Sequence, residues 1–173
     1  MESVHTTRKN TLDPSDVAQS VDHWEGLQLV RGHLAYGLHK YVPVSCQYFT
    51  MLREPVARVV SLYYYLKHKW PGSDVASMTL KEYINSSQKT YVHNGQTRRL
   101  AGPPFPDDPS SDALLKPAQR TLRYQDVVFG ITERFDASVL LMKDYLGWSW
   151  PSFYVRSRTG SKEMKRPISD RVR

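Results

Sequence analysis

The chain lacks most of the features that would assign its class at a glance. Its 173 residues hold one cysteine, Cys46, which excludes an internal disulfide framework and any cysteine-rich zinc site. No run of about eighteen apolar residues occurs, so no membrane-spanning helix is expected. The opening stretch MESVHTTRKNTLDPSD has no apolar core of the kind a secretory leader needs. No G-x-x-x-x-G-K-[ST] or Lys-x-Gly-[ST]-[ST] phosphate loop appears among its nine glycines. No His, Cys, Asp and Glu spacing suggests a metal site, and no repeat or low-complexity tract stands out.

What is present is the balance of a globular domain: 40% hydrophobic, 24% charged and 12% aromatic residues. The formal charge is +7, and Arg156 to Arg173 hold seven Lys/Arg against two Asp/Glu, which leaves only +2 elsewhere. A basic tail is not a basic face, and no helix-turn-helix or RNP-like pattern accompanies it, so a nucleic-acid partner is not expected.

Short apolar runs alternate with helical patterns. Asp13-Pro14-Ser15-Asp16 suits a helix start, within an otherwise loose polar segment 1–26. Leu27 to Val30, ending at Gly32, reads as a short strand, and Cys46 to Leu52 as a buried one. Pro55 fits the first turn of a helix running to about Lys69, before Pro71-Gly72. Val127 to Ile131 reads as a third strand, in one sheet with Cys46 to Leu52. Thr132 is expected to cap a helix from Glu133 to about Leu146, closed by Gly147. Gly102 to Pro109 is a loop. Alternating strands and helices imply an α/β layer with a parallel sheet.

Residues 49–66, FTMLREPVARVVSLYYYL, carry the chemistry. Arg53 stands at the carboxyl edge of a strand, where α/β sheets bind ligands, and its planar fork suits phosphate. The helix that follows offers free N–H groups to an anion, and Ser61 adds a hydroxyl. Arg58 can instead simply pair with Glu54 at i,i+4. Tyr63, Tyr64 and Tyr65 cannot share one helix face, so most are expected in the core, with room for one to line the cleft.

This segment resembles the 3′-phosphate-binding element of sulfotransferases that use 3′-phosphoadenosine 5′-phosphosulfate (PAPS), especially the carbohydrate group with the uronosyl O-sulfotransferases and bacterial relatives. The match is Arg-x-Pro-x-x-Arg, then Ser, then paired tyrosines. Three further segments agree in order: Arg31-Gly32-His33 with LAYGLHKYV, HNGQTRRLAG at 93–102, and VFGITERF at 128–135. The resemblance implies an α/β, P-loop NTPase-like three-layer fold with a parallel sheet, spanning 27–155 and followed by a basic tail, 156–173. It implies sulfuryl transfer from PAPS to a hydroxyl, on a saccharide acceptor, without a metal. Arg53 and Ser61 would hold the 3′-phosphate, and Lys162, Lys165 and Arg166 would close over the nucleotide.

His33 is the candidate base, since a neutral imidazole near pH 7 can take the proton of the attacking hydroxyl. Relatives often show His-Gly-His where this chain has Arg31-Gly32-His33. His39 has no supporting context, and His93 reads as a loop residue. The family's first strand and phosphosulfate loop have no counterpart before residue 27; Arg8-Lys9-Asn10-Thr11 lacks glycine and a preceding strand. The chain thus reads as incomplete at the N-terminus, and a non-catalytic family member that binds an anionic nucleotide or partner is the alternative. A kinase would share the fold, but a Walker lysine and a magnesium-carboxylate pattern are missing. By the same resemblance the compartment is cytoplasmic for a bacterial protein, or the Golgi membrane for one anchored through a preceding segment.

Overall fold

Two parallel strands with a helix between them open the chain. Strand β1 (Ser3–Thr6) pairs in parallel with β2 (Leu27–Arg31), with Val4 opposite Leu29 and Thr6 opposite Arg31. The computed structural model describes residues 3–6, 13–86, 92–107, 112–124 and 127–149. Helix α1 (Pro14–Gln19) begins where the sequence indicates: the Asp13 carboxylate accepts the Ser15 N–H at 2.8 Å, and Pro14 occupies the first turn. The strand β1 corrects the expectation of a loose segment with nothing before Arg8. A four-residue strand is too short to show periodicity, and its hydrogen bonds come from β2, far along the chain.

Among the described residues the chain divides into two compact units, the first built from residues 1–49 and 94–128, the second from 50–93 and 129–173. In the first, Pro14, Val17, Ala35 and Leu38 are buried. Helix α5 (Gly95–Ala101) packs against α6 (Leu115–Tyr124). Leu114, Ala118 and Thr121 are the residues buried on that side, at the i, i+4, i+7 spacing of one helix face. The Tyr36 N–H donates to the Arg99 carbonyl at 2.7 Å, just before the chain leaves α5 at Gly102. There φ is +70°, and any side chain would collide with the Tyr36 carbonyl, so glycine is required twice over.

Strand β3 (Tyr48–Leu52) is two residues shorter than expected, because Cys46 and Gln47 lie before the ladder. Its hydrogen-bonded neighbour is β4 (Val127–Ile131), the pairing the sequence indicates. The architecture is thus a mixture of helices and small sheets, one of them parallel.

The second unit holds helices α2 (Pro55–Lys69), α3 (Asp74–Ser77), α4 (Leu80–Asn85) and α7 (Phe135–Tyr145). Tyr63, Val75 and Tyr83 form its apolar centre, with Val59, Leu66, Met78 and Leu80 packed around them. The Tyr63 hydroxyl donates to the Met78 carbonyl at 2.7 Å and accepts from Lys67 at 3.2 Å. Helix α4 starts with a capping box, Thr79 and Glu82, whose hydrogen bonds hold the Glu82 carboxyl below its ordinary range.

Thr132 does not cap α7. Residues Thr132–Arg134 form a single 3-10 turn, and the Thr132 hydroxyl donates instead to the Leu52 carbonyl at 2.9 Å. The long-range partner wins because β3 brings that carbonyl within reach. Gly147, at φ +65°, ends the segment as expected. Between β4 and α7, the Ser138 hydroxyl accepts the Ile131 N–H at 2.8 Å and lies 2.8 Å from the Arg134 carbonyl, to which it can donate.

Gly130 makes that packing possible. A methyl group there would lie 2.5 Å from Ser138 Cβ and 2.6 Å from Met51 Sδ. Gly130→Ala is therefore expected to destabilise the fold by about 1–3 kcal/mol through overpacking. Urea denaturation should show a lower midpoint with an unchanged slope; an unchanged midpoint would refute the close packing.

Candidate functional site

The junction of β3 and α2 carries the sequence-predicted residues Arg53 and Ser61. Arg53 follows the last strand residue, Leu52, and is half-buried. The next residue, Glu54, folds its carboxylate back over the helix start, accepting N–H groups from Val56 at 3.0 Å and Ala57 at 2.6 Å. Pro55 has no N–H to offer, and the Arg58 N–H goes to the Glu54 carbonyl at 2.9 Å. All backbone donors of the first turn are therefore satisfied locally.

The helix terminus expected to receive a phosphate through its backbone is occupied by a carboxylate of its own chain. An anion at this junction has to be held by side chains. Glu54, Arg58 and Ser61 stand at i, i+4 and i+7, on the helix face opposite Tyr63. The Ser61 side chain is half-buried. Burial disfavours the charged form of Arg58, an effect partly offset by Tyr83.

A second link fixes the junction. The Glu54 N–H donates to Glu133 Oε1 at 3.0 Å, and Thr132 holds Leu52 on the other side of Arg53. The residues flanking Arg53 are thus both tied to the segment that follows β4.

His33 is exposed and lies two residues beyond the end of β2, in the first unit. Arg53 and Ser61 belong to the second. Lys162, Lys165 and Arg166 lie outside the described residues. Among the described residues no cluster of three or more His, Cys, Asp or Glu could hold a metal ion. His93 is the loop residue expected, with Nε2 3.5 Å from the Ile84 carbonyl.

His39, which has no supporting context in the sequence, makes a defined contact instead. The Tyr48 hydroxyl accepts its backbone N–H at 2.8 Å and shares a second hydrogen bond with its Nδ1 at 2.8 Å. Tyr36 packs its ring against both, with centroids 5.2 Å and 4.8 Å away. Nine residues separate the hydrogen-bonding pair, and no local pattern announces it. Burial pushes the Tyr48 phenol up to about 12, against the opposing effect of the His39 backbone hydrogen bond.

A phenol that titrates higher folded than unfolded retains its proton in the native state between about pH 10 and pH 12. There the folded chain binds more protons, so stability falls as pH rises through that window and is fully present below it. Tyr48→Phe is expected to flatten this alkaline limb, measured as Tm against pH. An identical slope in both proteins would count against the buried phenol.

The family model described as galactose-3-O-sulfotransferase matches residues 17–161. No curated protein and no solved structure gives a significant match to the chain.

Proposed function

The chain belongs to the galactose-3-O-sulfotransferase family, a family of carbohydrate sulfotransferases, and from that premise we propose that it transfers a sulfuryl group from PAPS to a saccharide hydroxyl. The observation that carries the donor assignment is the β3–α2 junction. Its helix backbone is already capped, and Arg53 and Ser61 bring a guanidinium and a hydroxyl, groups suited to a phosphate, to that junction. In this reading Arg53 supplies the planar, charge-assisted pair and Ser61 a further hydrogen bond to the 3′-phosphate. Glu54 is a positioning residue: it fixes the helix start without touching the ligand, and its negative charge favours an approach from the Arg53 side. Lys162, Lys165 and Arg166 are proposed to cover the bound nucleotide.

The proposed fold is P-loop-like, a reading supported by the parallel β1–β2 pair with α1 between them and by the strand-to-helix passage at Arg53. His33 is proposed as the base. As the acceptor oxygen bonds to sulfur, the bond from sulfur to the bridging phosphate oxygen breaks, the nucleotide bisphosphate leaves, and the hydroxyl proton passes to imidazole. A base of this kind contributes about 10²–10⁴ in rate.

One observation favours the alternative of a nucleotide-binding member that turns over slowly or not at all. The sequence contains no Lys-x-Gly-[ST]-[ST] loop to stabilise charge on the transferred group, and one such donor is worth about 10²–10³ in rate.

Titration calorimetry with 3′-phosphoadenosine 5′-phosphate (PAP) tests the donor site. Arg53→Ala is expected to weaken binding by about ten- to a hundredfold, the effect of a charge-assisted hydrogen bond. Equal affinity in the two proteins would remove Arg53 from the site. Transfer from radiolabelled PAPS to galactose-terminated glycans and to glycosaminoglycans tests the chemistry. Turnover abolished by His33→Ala supports the base, turnover that survives it refutes the assignment, and tight PAP binding without turnover selects the alternative.

A further inference from the structure

Arg98, on the short helix α5, is a cation in an unusual setting. It is only 7% exposed. Its guanidinium lies over the Phe105 ring, 4.8 Å from the centroid, and donates from Nη1 to the Pro106 carbonyl at 3.4 Å, a long hydrogen bond. Its Nε is buried and has no hydrogen-bond partner among the described residues. The neighbouring Arg99 shows the ordinary arrangement, with Nη1 2.8 Å from the Gly95 carbonyl of its own helix.

A guanidinium carries five N–H donors and stays charged at any pH a protein survives. Burying it over an aromatic ring, with one long hydrogen bond, leaves most of its lost hydration uncompensated. A leucine would fill the same space without that penalty. The groups that cover Arg98, Phe105 and Pro106, come from one exposed-to-half-buried segment, residues 103–107, that follows the buried Gly102. That segment forms a strap across the cation.

We propose that Arg98 is an anion-binding residue beneath this strap. An oxyanion of a small ligand, whether phosphate, sulfate or carboxylate, replaces the Pro106 carbonyl and pairs with Nε–H and an Nη–H together, the two-pronged geometry in which a guanidinium binds best. Displacing the strap gives the ligand the donors that the closed form leaves unused. The inference stands apart from the donor reading, which assigns the 3′-phosphate to Arg53 and Ser61.

The test follows the Nε–Hε resonance of Arg98 in the ¹⁵N-labelled full chain, assigned by its loss in Arg98→Lys. If Arg98→Lys does not fold, Phe105→Ala assigns the signal instead, because it removes the ring current from a nearby aromatic face. The probes are inorganic sulfate, PAP and glucuronate, each against chloride at matched ionic strength. Saturable movement of the Arg98 signal by at least one oxyanion, with none from chloride, is the expected result. Movement by PAP alone identifies the nucleotide as the source, and movement by glucuronate an acidic saccharide. Phe105→Ala is expected to tighten the effective probe about threefold or more, since the covered state lowers apparent affinity by the fraction of molecules it occupies. A signal that none of the three probes moves makes Arg98 a structural cation and overturns the proposal. If sulfate or glucuronate moves it while PAP fails to bind the chain at all, this inference stands and the donor reading falls.

Discussion

The β3–α2 junction depends on a single carboxylate turning back on its own helix. By accepting the Val56 and Ala57 N–H groups, Glu54 ends the competition for the helix terminus before any ligand arrives. Its own N–H is tied to Glu133, so the helix start, the strand edge and the segment after β4 are fixed relative to one another. Arg53 sits inside that frame between two anchored neighbours. A flexible arginine would lose conformational entropy on meeting an anion; one whose flanking backbone is already held loses less. The carboxylate thus does for the backbone what a phosphate does in glycine-rich loops, and the anion recognition proposed for this junction falls to side chains.

The parts of the fold legible in the sequence are those whose cause is local. Helix α2 begins and ends at the predicted residues because Pro55 fixes its first turn and Pro71-Gly72 stops it. Strand β4 has the predicted bounds because four apolar residues around Gly130 stand between polar ones. Failures occur where a distant partner decides. Strand β1 exists through pairing with β2, and Thr132 turns from its own helix to Leu52, eighty residues earlier. Neither event leaves a trace in the local pattern.

The same division holds at the candidate site. The expectation for Arg53 and Ser61 rests on a strand, an arginine, a proline and a serine that follow one another within a dozen residues, and of it the structure shows the strand-to-helix passage. The capping role of Glu54 was not, since a glutamate four residues before an arginine suggests an ion pair just as readily. The His39 and Tyr48 contact was hidden by separation, and the buried state of Arg98 by its neighbours, because two adjacent arginines in a polar helix read as a solvated face. Burial is a property of what packs over a residue, here a strap that sequence pattern treats as a plain loop.

Cys46 acquires a chemical character from where it lies. Its Sγ faces the Val44 carbonyl at 3.6 Å, just before β3, and burial pushes the thiol above its ordinary pKa. The thiolate is the form that attacks disulfides and electrophiles, so at neutral pH little of this sulfur is reactive. Oxidants that act through the thiolate, by crosslinking or glutathionylation, therefore meet less of the reactive form at this cysteine than at a fully solvated one.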